Sequence, residues 1–242
     1  MDTKATLAEL IGTFTLVFIG AGAGALADPG SAGLVSVALA HGLALLVIVY
    51  AWGSISGAHV NPAVTLGVLV TGRISVPKAI SYWVAQLAGG IVAAYLLQWF
   101  VGPGSSLGST IGSLTPNVAG AAEGANAAKV IVLEGLLTFF LVTAVFASGI
   151  HGRNGNVAGI AIGLVLTMDI LAGGPLTGAS MNPARTLGPA VATGSLDYVW
   201  MYFVGPLAGG ALAALLYDKF FLPSAELTPP VEAADSRGKR RR

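Results

Sequence analysis

Six apolar stretches, each near the length of a bilayer crossing, decide what this chain can become. They are Ala5–Leu26, Ala32–Trp52, Ile80–Val101, Val130–Ser148, Val157–Leu171 and Val199–Tyr217. A helix needs about 20 apolar residues to cross the hydrocarbon core. The fifth stretch is short by that measure, within the few residues by which helix ends are uncertain. Charged residues make up 10% of the chain and hydrophobic residues 55%, whereas a soluble domain carries about 25% charged residues. A hydrated globular surface cannot be built from so little charge. A soluble enzyme and a disordered chain are both excluded.

The remaining composition removes other classes. The net charge is +1, and no basic face interleaved with aromatics points to nucleic acid. Cysteine is absent, so disulfides and thiolate metal sites are out. His41, His59 and His151 stand far apart, without metal-ligand spacing. No metal or cofactor is expected. The 34 glycines show no Gly-X-Y period. They suit closely packed membrane helices, with Gly20–Gly24 and Leu207–Gly210 read as close crossings. Met1 to Lys4 is too short for a transit peptide, and the apolar run after it is too long for a signal-peptide core. It reads as a retained first span.

Six spans put both termini on one side. Lys4, Arg73, Lys78, Arg153, Lys219 and the tail bases fall on that side, while Lys129 and Arg185 fall elsewhere. By the positive-inside rule both termini are expected in the cytoplasm. A multi-pass protein of the cell (plasma) membrane is expected, with membrane lipid around it. The polar tail, residues 221–242, reads as disordered. Its bases could meet anionic lipid. The connection Gly102–Ala128 is rich in Gly, Ser and Ala. Its Gly104-Ser105-Ser106-Leu107-Gly108 matches a nucleophile elbow. That chemistry needs a strand–turn–helix and a His–acid pair, so the match is discarded.

The chain repeats itself. Ser56-Gly57-Ala58-His59-Val60-Asn61-Pro62-Ala63 recurs 121 residues later as Thr177-Gly178-Ala179-Ser180-Met181-Asn182-Pro183-Ala184. Glu9 with Thr13-Phe14 matches Glu134 with Thr138-Phe139, and Leu87–Gly90 matches Leu207–Gly210. Each half, 5–101 and 130–217, holds three spans, so the halves must be inverted across the membrane. Two apolar segments of ten and eleven residues, Asn61–Val70 and Asn182–Ala192, are too short to span and suit re-entrant half-helices. Asn61 and Asn182 suit the N-cap, and Pro62 and Pro183 suit the first helical position. Inversion points the two N-termini at each other near the midplane. Each carries roughly +0.5 elementary charge. A wet path there favours a passing oxygen acceptor and opposes cations. A single Asn-Pro is a common turn dipeptide; two copies in matched repeats are not so explained.

These residues resemble the aquaporin, or major intrinsic protein, family over roughly residues 5 to 220, leaving out the connection 102–128. The resemblance implies an all-α membrane channel domain (1–220) of six transmembrane helices and two half-helices, arranged as a homotetramer with one pore per subunit. It implies a passive channel for water, with protons and ions excluded. It carries the midplane role to Asn61, Pro62, Ala63, Asn182, Pro183 and Ala184, and an outer constriction to His41, Ile170, Ala179 and Arg185. Water-selective members usually have Phe at the first of these positions and His at the second. His-Ile-Ala-Arg is similar to plant vacuolar-membrane aquaporins, which implies passage of small neutral solutes such as ammonia, urea, peroxide or glycerol. Glycerol facilitators typically carry Asp after the constriction arginine, where this chain has Thr186. His59 is expected in the inner vestibule; with an ordinary pKa near about 6.5, a histidine there would suit a pH gate. Glu9 and Glu134 are read as structural supports that accept N–H bonds from the loops entering the half-helices. Asp169 is expected to face the outer headgroup region; lining the outer vestibule, where it would attract ammonium, is the other reading.

Other classes stay in view. A proton- or ion-coupled secondary transporter also fits inverted repeats and broken helices. It would need a titratable centre, for which Glu9, Glu134 and Asp169 are the candidates. An intramembrane enzyme would need a nucleophile with a base in reach, and no such set stands at suitable spacing. The protein is therefore expected to be no enzyme. A structural tetramer with a closed pore is a further alternative.

Overall fold

A computed structural model describes residues 2–27, 33–118, 120–152 and 157–222. Asp28-Pro29-Gly30, which the sequence places between the first two spans as a break, Arg153 and the tail from Pro223 lie outside the described residues. Among the described residues, eight α-helices follow one another: α1 (Thr3–Leu26), α2 (Gly33–Ser56), α3 (Pro62–Val70), α4 (Val76–Val101), α5 (Ala127–Ala144), α6 (Ala158–Thr177), α7 (Pro183–Thr193) and α8 (Met201–Phe220). A π-helical stretch, Val145–Ile150, prolongs α5. No strand occurs among the described residues. Six of these helices are long and apolar enough to cross a membrane. The two others are the short segments that open with Asn-Pro.

The spans extend beyond the apolar stretches where caps allow. Asn126 accepts from Lys129 N and starts α5 three residues before the apolar run. The fifth span, short by hydropathy, runs on through Gly173-Gly174-Pro175 to Thr177 and reaches 20 residues. It stops at Gly178, whose left-handed backbone (φ +85°) suits a residue without Cβ.

The packing follows the repeat. α1 lies against α4 as α5 lies against α8, and α2 pairs with α6 between them. Each half-helix crosses over: α3 seats on α8, and α7 seats on α4. The halves therefore interlock. Glycines make the contacts close enough. A Cβ at Gly90 would strike the carbonyl of Ala184, and one at Gly188 would strike that of Gly90. A Cβ at Gly210 would press on the carbonyl of Ala63. Among helices in lipid, such backbone approach provides the van der Waals contact that the hydrophobic effect cannot.

Gly209 gives the sharpest case, because its missing Cβ faces the backbone of Gly135 on α5. A backbone cannot step aside as a flexible side chain can. We expect Gly209→Val to part α5 from α8 and to cut the yield of monodisperse protein in detergent severely. Gly53→Ala, where the nearest atom is a Val49 methyl at 4.0 Å, controls for ordinary loss of glycine. Equal yields and melting points for Gly209→Val and the native chain would rule out this crossing as a determinant of the fold.

Candidate functional site

The loops entering the half-helices are built alike. Val60 and Met181 have φ of 42° and 54°, and Ala58 and Ala179 have φ of 49° and 44°. Left-handed backbone is unusual for residues with a Cβ, most of all for a β-branched valine. Two buried carboxylates hold these loops. Glu9 accepts from Ser56 Oγ (2.6 Å), His59 N (2.9 Å), Val60 N (2.6 Å) and Gln86 Nε2 (2.7 Å). Glu134 accepts from Thr177 Oγ1 (2.7 Å), Ser180 N (3.0 Å) and Met181 N (2.8 Å). Buried tyrosines brace the same corners: Tyr82 donates to Ser56 O (2.7 Å) and Tyr202 to Thr177 O (2.6 Å).

Each loop delivers an asparagine to a helix N-terminus. Asn61 Oδ1 accepts from Ala63 N (2.8 Å), and Asn182 Oδ1 accepts from Ala184 N (3.0 Å) and Arg185 N (3.3 Å). Pro62 and Pro183 open the helices. The side-chain N–H groups cross between repeats. Asn61 Nδ2 donates to Met181 O (2.8 Å), and Asn182 Nδ2 donates to Val60 O (2.9 Å). Each amide carries two N–H groups, so each keeps a second beyond this exchange.

A cavity of about 420 Å³ runs past this junction. Asn61, Asn182, Val60 and Ser180 line its middle, and Leu16, Leu45, Leu141, Ile162 and Leu166 give an apolar wall. His41 and Arg185 line it, as do His59 and Arg73. Ala63 and Ala184 are fully buried behind the asparagines. A second basin is lined by Ile170, Gly108, Gly178 and Arg185. Arg185 thus faces both hollows. Ala179 is buried beneath, 2% exposed.

The geometry around Arg185 adds what the sequence did not reveal. Its Nε donates to His41 Nε2 (3.3 Å), and its Nη1 donates to the carbonyl of Gly108 (2.6 Å). His41 Nδ1 lies 2.9 Å from Val37 O. The guanidinium is always a donor and the carbonyl always an acceptor. These partners therefore require the tautomer with its proton on Nδ1. Both ring nitrogens of His41 are engaged with protein. Gly20, expected at a helix crossing, leaves room for this ring: a Cβ there would strike it. Gly108 was missed because its part is played by a backbone carbonyl. Gln86 was missed because it has no mate in the second repeat. Ser56 and Thr177 stand at matched positions in the repeat, so the signal for them was present.

Asp169 corrects an expectation. It does not face the headgroup region but is 1% exposed. The buried residues of α6 include Ile162, Leu166, Asp169 and Gly173, spaced three and four apart, so one helical face carries them all inward. Its Oδ2 has no hydrogen-bond partner among the described residues. His59 sits at the cavity wall, with Nδ1 3.1 Å from Thr65 Oγ1 and its ring edge-on to Tyr82.

A six-span bundle with a cavity lined from both half-helices has the make-up of a membrane transport protein. The chain belongs to the major intrinsic protein family, whose sequence model matches residues 1–217. It is 46% identical to Aquaporin TIP1-2 of Zea mays over 96% of this chain and 92% of that protein. It is 42% identical to Aquaporin TIP2-1 of Arabidopsis thaliana over 95% and 92%. The aquaglyceroporin from Plasmodium falciparum shares the fold, with TM-score 0.75 at 24% identity over 91% of this chain and 97% of that one. The family is one of channels, not enzymes. These plant relatives are tonoplast intrinsic proteins, which belong to the vacuolar membrane. They overturn the expectation of a plasma-membrane protein; the multi-pass membrane character stands. The family match also runs through the connection 102–128, which had been left outside the resemblance.

Removing either carboxylate strips buried donors of their acceptor, at about 1–3 kcal/mol for each donor left bare. Glu9→Ala and Glu134→Ala are each expected to lower the melting point sharply and to reduce folded yield. Native-like melting in both variants would show that the loops hold without the carboxylates.

Proposed function

We propose that this chain conducts water and small neutral solutes passively and excludes protons and other cations. The observation that carries this reading is the reciprocal exchange between Asn61 and Met181 and between Asn182 and Val60 at the wall of one cavity. It brings two helix N-termini and two amides to a single point of a hydrophobic path. A water molecule there turns its oxygen toward donors on both sides. Its hydrogens then have few acceptors nearby, which breaks an unbroken donor–acceptor chain for protons. The positive helix ends and the permanent charge of Arg185 raise the barrier for cations.

At the outer end Arg185 supplies donors for a solute oxygen, with His41, Ile170 and Ala179 setting the opening. Ile170 adds no hydrogen-bonding group, so the opening favours small solutes beyond water: ammonia, urea, peroxide and glycerol. Both termini are assigned to the cytoplasm from the distribution of Lys and Arg. Leu39, Leu43 and Val47 form an exposed apolar stripe along α2, suited to lipid or to neighbouring subunits of a homotetramer. A coupled transporter would need a free carboxylate at the midplane. Of the three candidates, Glu9 and Glu134 are taken up by loop donors, and Asp169 lines neither cavity.

In vesicles containing the purified protein, stopped-flow light scattering should show fast shrinkage in sucrose and measurable re-swelling with glycerol or urea. His41→Phe/Ile170→His is expected to keep water flow and suppress solute entry. Shrinkage no faster than in empty vesicles would overturn the open-channel reading, and saturable uptake driven by a proton gradient would favour the transporter. For His59, fixed between Thr65 and Tyr82, we expect water permeability to stay level from about pH 5.5 to 8, an interval that brackets the ordinary histidine pKa. A step in that interval, lost in His59→Phe, would instead assign a gate to this residue.

A further inference from the structure

Connections rich in Gly and Ser usually run over the surface. The segment between α4 and α5 also sends three side chains inward: Leu107, Thr110 and Thr115 are each fully buried. Thr110 lines neither cavity, yet its hydroxyl begins a chain. Thr110 Oγ1 lies 2.8 Å from Thr186 Oγ1, which lies 2.5 Å from Ser180 Oγ. Ser180 Oγ donates to the carbonyl of Asn182 (2.9 Å). Since Ser180 gives its proton to that carbonyl, it accepts from Thr186, and Thr186 accepts from Thr110. The three hydroxyls point one way, from the connecting segment into the entrance of α7. Such chains polarise and strengthen their members.

This chain runs alongside Arg185. Thr186 directly follows it, and Gly108, two residues before Thr110, supplies the carbonyl that accepts from its Nη1. The segment has little room to sit elsewhere. Gly108 rests on the backbone of Ala21, and Gly178 rests on the backbone of Thr110. Among the described residues, Thr110 makes the hydrogen bond that ties a side chain of this segment to α7.

We propose that Thr110 is a positioning residue for Arg185. Its hydroxyl docks the connecting segment on the first turn of α7, which holds the Gly108 carbonyl against the guanidinium. The docking fixes the width of the outer constriction and so the ratio of water to larger neutral solutes. This rests on the channel reading above.

Thr110→Val keeps the shape and removes the hydroxyl, while Thr110→Ser keeps the hydroxyl. In reconstituted vesicles, Thr110→Val should raise the glycerol-to-water permeability ratio by about two- to tenfold, the range one net hydrogen bond supports. Thr110→Ser should keep the native ratio. Thr186→Val should act like Thr110→Val, and the two together should do little more than either alone. A native ratio in Thr110→Val overturns the proposal. So does a shift in Thr110→Ser as large as in Thr110→Val, since lost methyl packing would then explain both. If Thr110→Val fails to fold, Thr186→Val decides by the same ratio. A native protein that conducts nothing would defeat the channel reading instead. Phenylglyoxal modification of Arg185, read by mass spectrometry of its peptide, still decides on the latch: faster reaction in Thr110→Val than in the native chain supports it, and equal rates reject it.

Discussion

Two carboxylates buried in the membrane domain hold up everything else. Glu9 and Glu134 reach from the first helix of each repeat to the loop of the same repeat, and each collects two consecutive backbone N–H groups together with a hydroxyl. The loops need that grip. Left-handed Ala58, Val60, Ala179 and Met181 each cost on the order of 1–3 kcal/mol. Backbone that leaves a helix inside a bilayer also exposes donors that no water can satisfy. Charge-assisted hydrogen bonds answer both demands. A neutral acceptor would be weaker, by roughly a factor of two.

Once the loops are held, the half-helices can meet. α3 leans on α8 and α7 on α4, so neither repeat completes itself without the other. The reciprocal bonds of Asn61 and Asn182 then join the two loops at their tips. The same atoms that close the fold line the cavity. In the proposed channel, structure and function are not separable at this junction: an asparagine caps a helix through its oxygen, locks the opposite loop through one N–H, and keeps a second N–H.

The proposed outer constriction depends on parts farther apart. Arg185 comes from α7, His41 from α2, and the Gly108 carbonyl from the connection between α4 and α5. Permanent charge inside a membrane domain is costly unless paired or wet, and Arg185 is both held by neutral acceptors and open to two cavities. Because His41 has both ring nitrogens engaged, it serves the arginine as a rigid wall. Gly20 is part of the same arrangement, since only a missing side chain leaves space for that ring.

The sequence by itself determined the spans, the inverted repeat and the helix starts, because hydropathy, an odd number of spans per repeat and the Asn-Pro cap are local or countable properties. It also marked Glu9 and Glu134, since a carboxylate repeated at matched depth in an apolar helix needs donors. The cellular membrane was misjudged, for charge bias orients a chain but names no organelle. What only the tertiary structure decided came from contacts between segments remote in sequence. Asp169 reads as polar and near a span end, yet helical phase turns it inward with Ile162 and Leu166. Segment 102–126 reads as low-complexity loop, yet its backbone carbonyl and its Thr110 hydroxyl complete the surroundings of Arg185. A carbonyl is common to every residue, so composition cannot single out the one at Gly108; only its placement beside a guanidinium gives it a role.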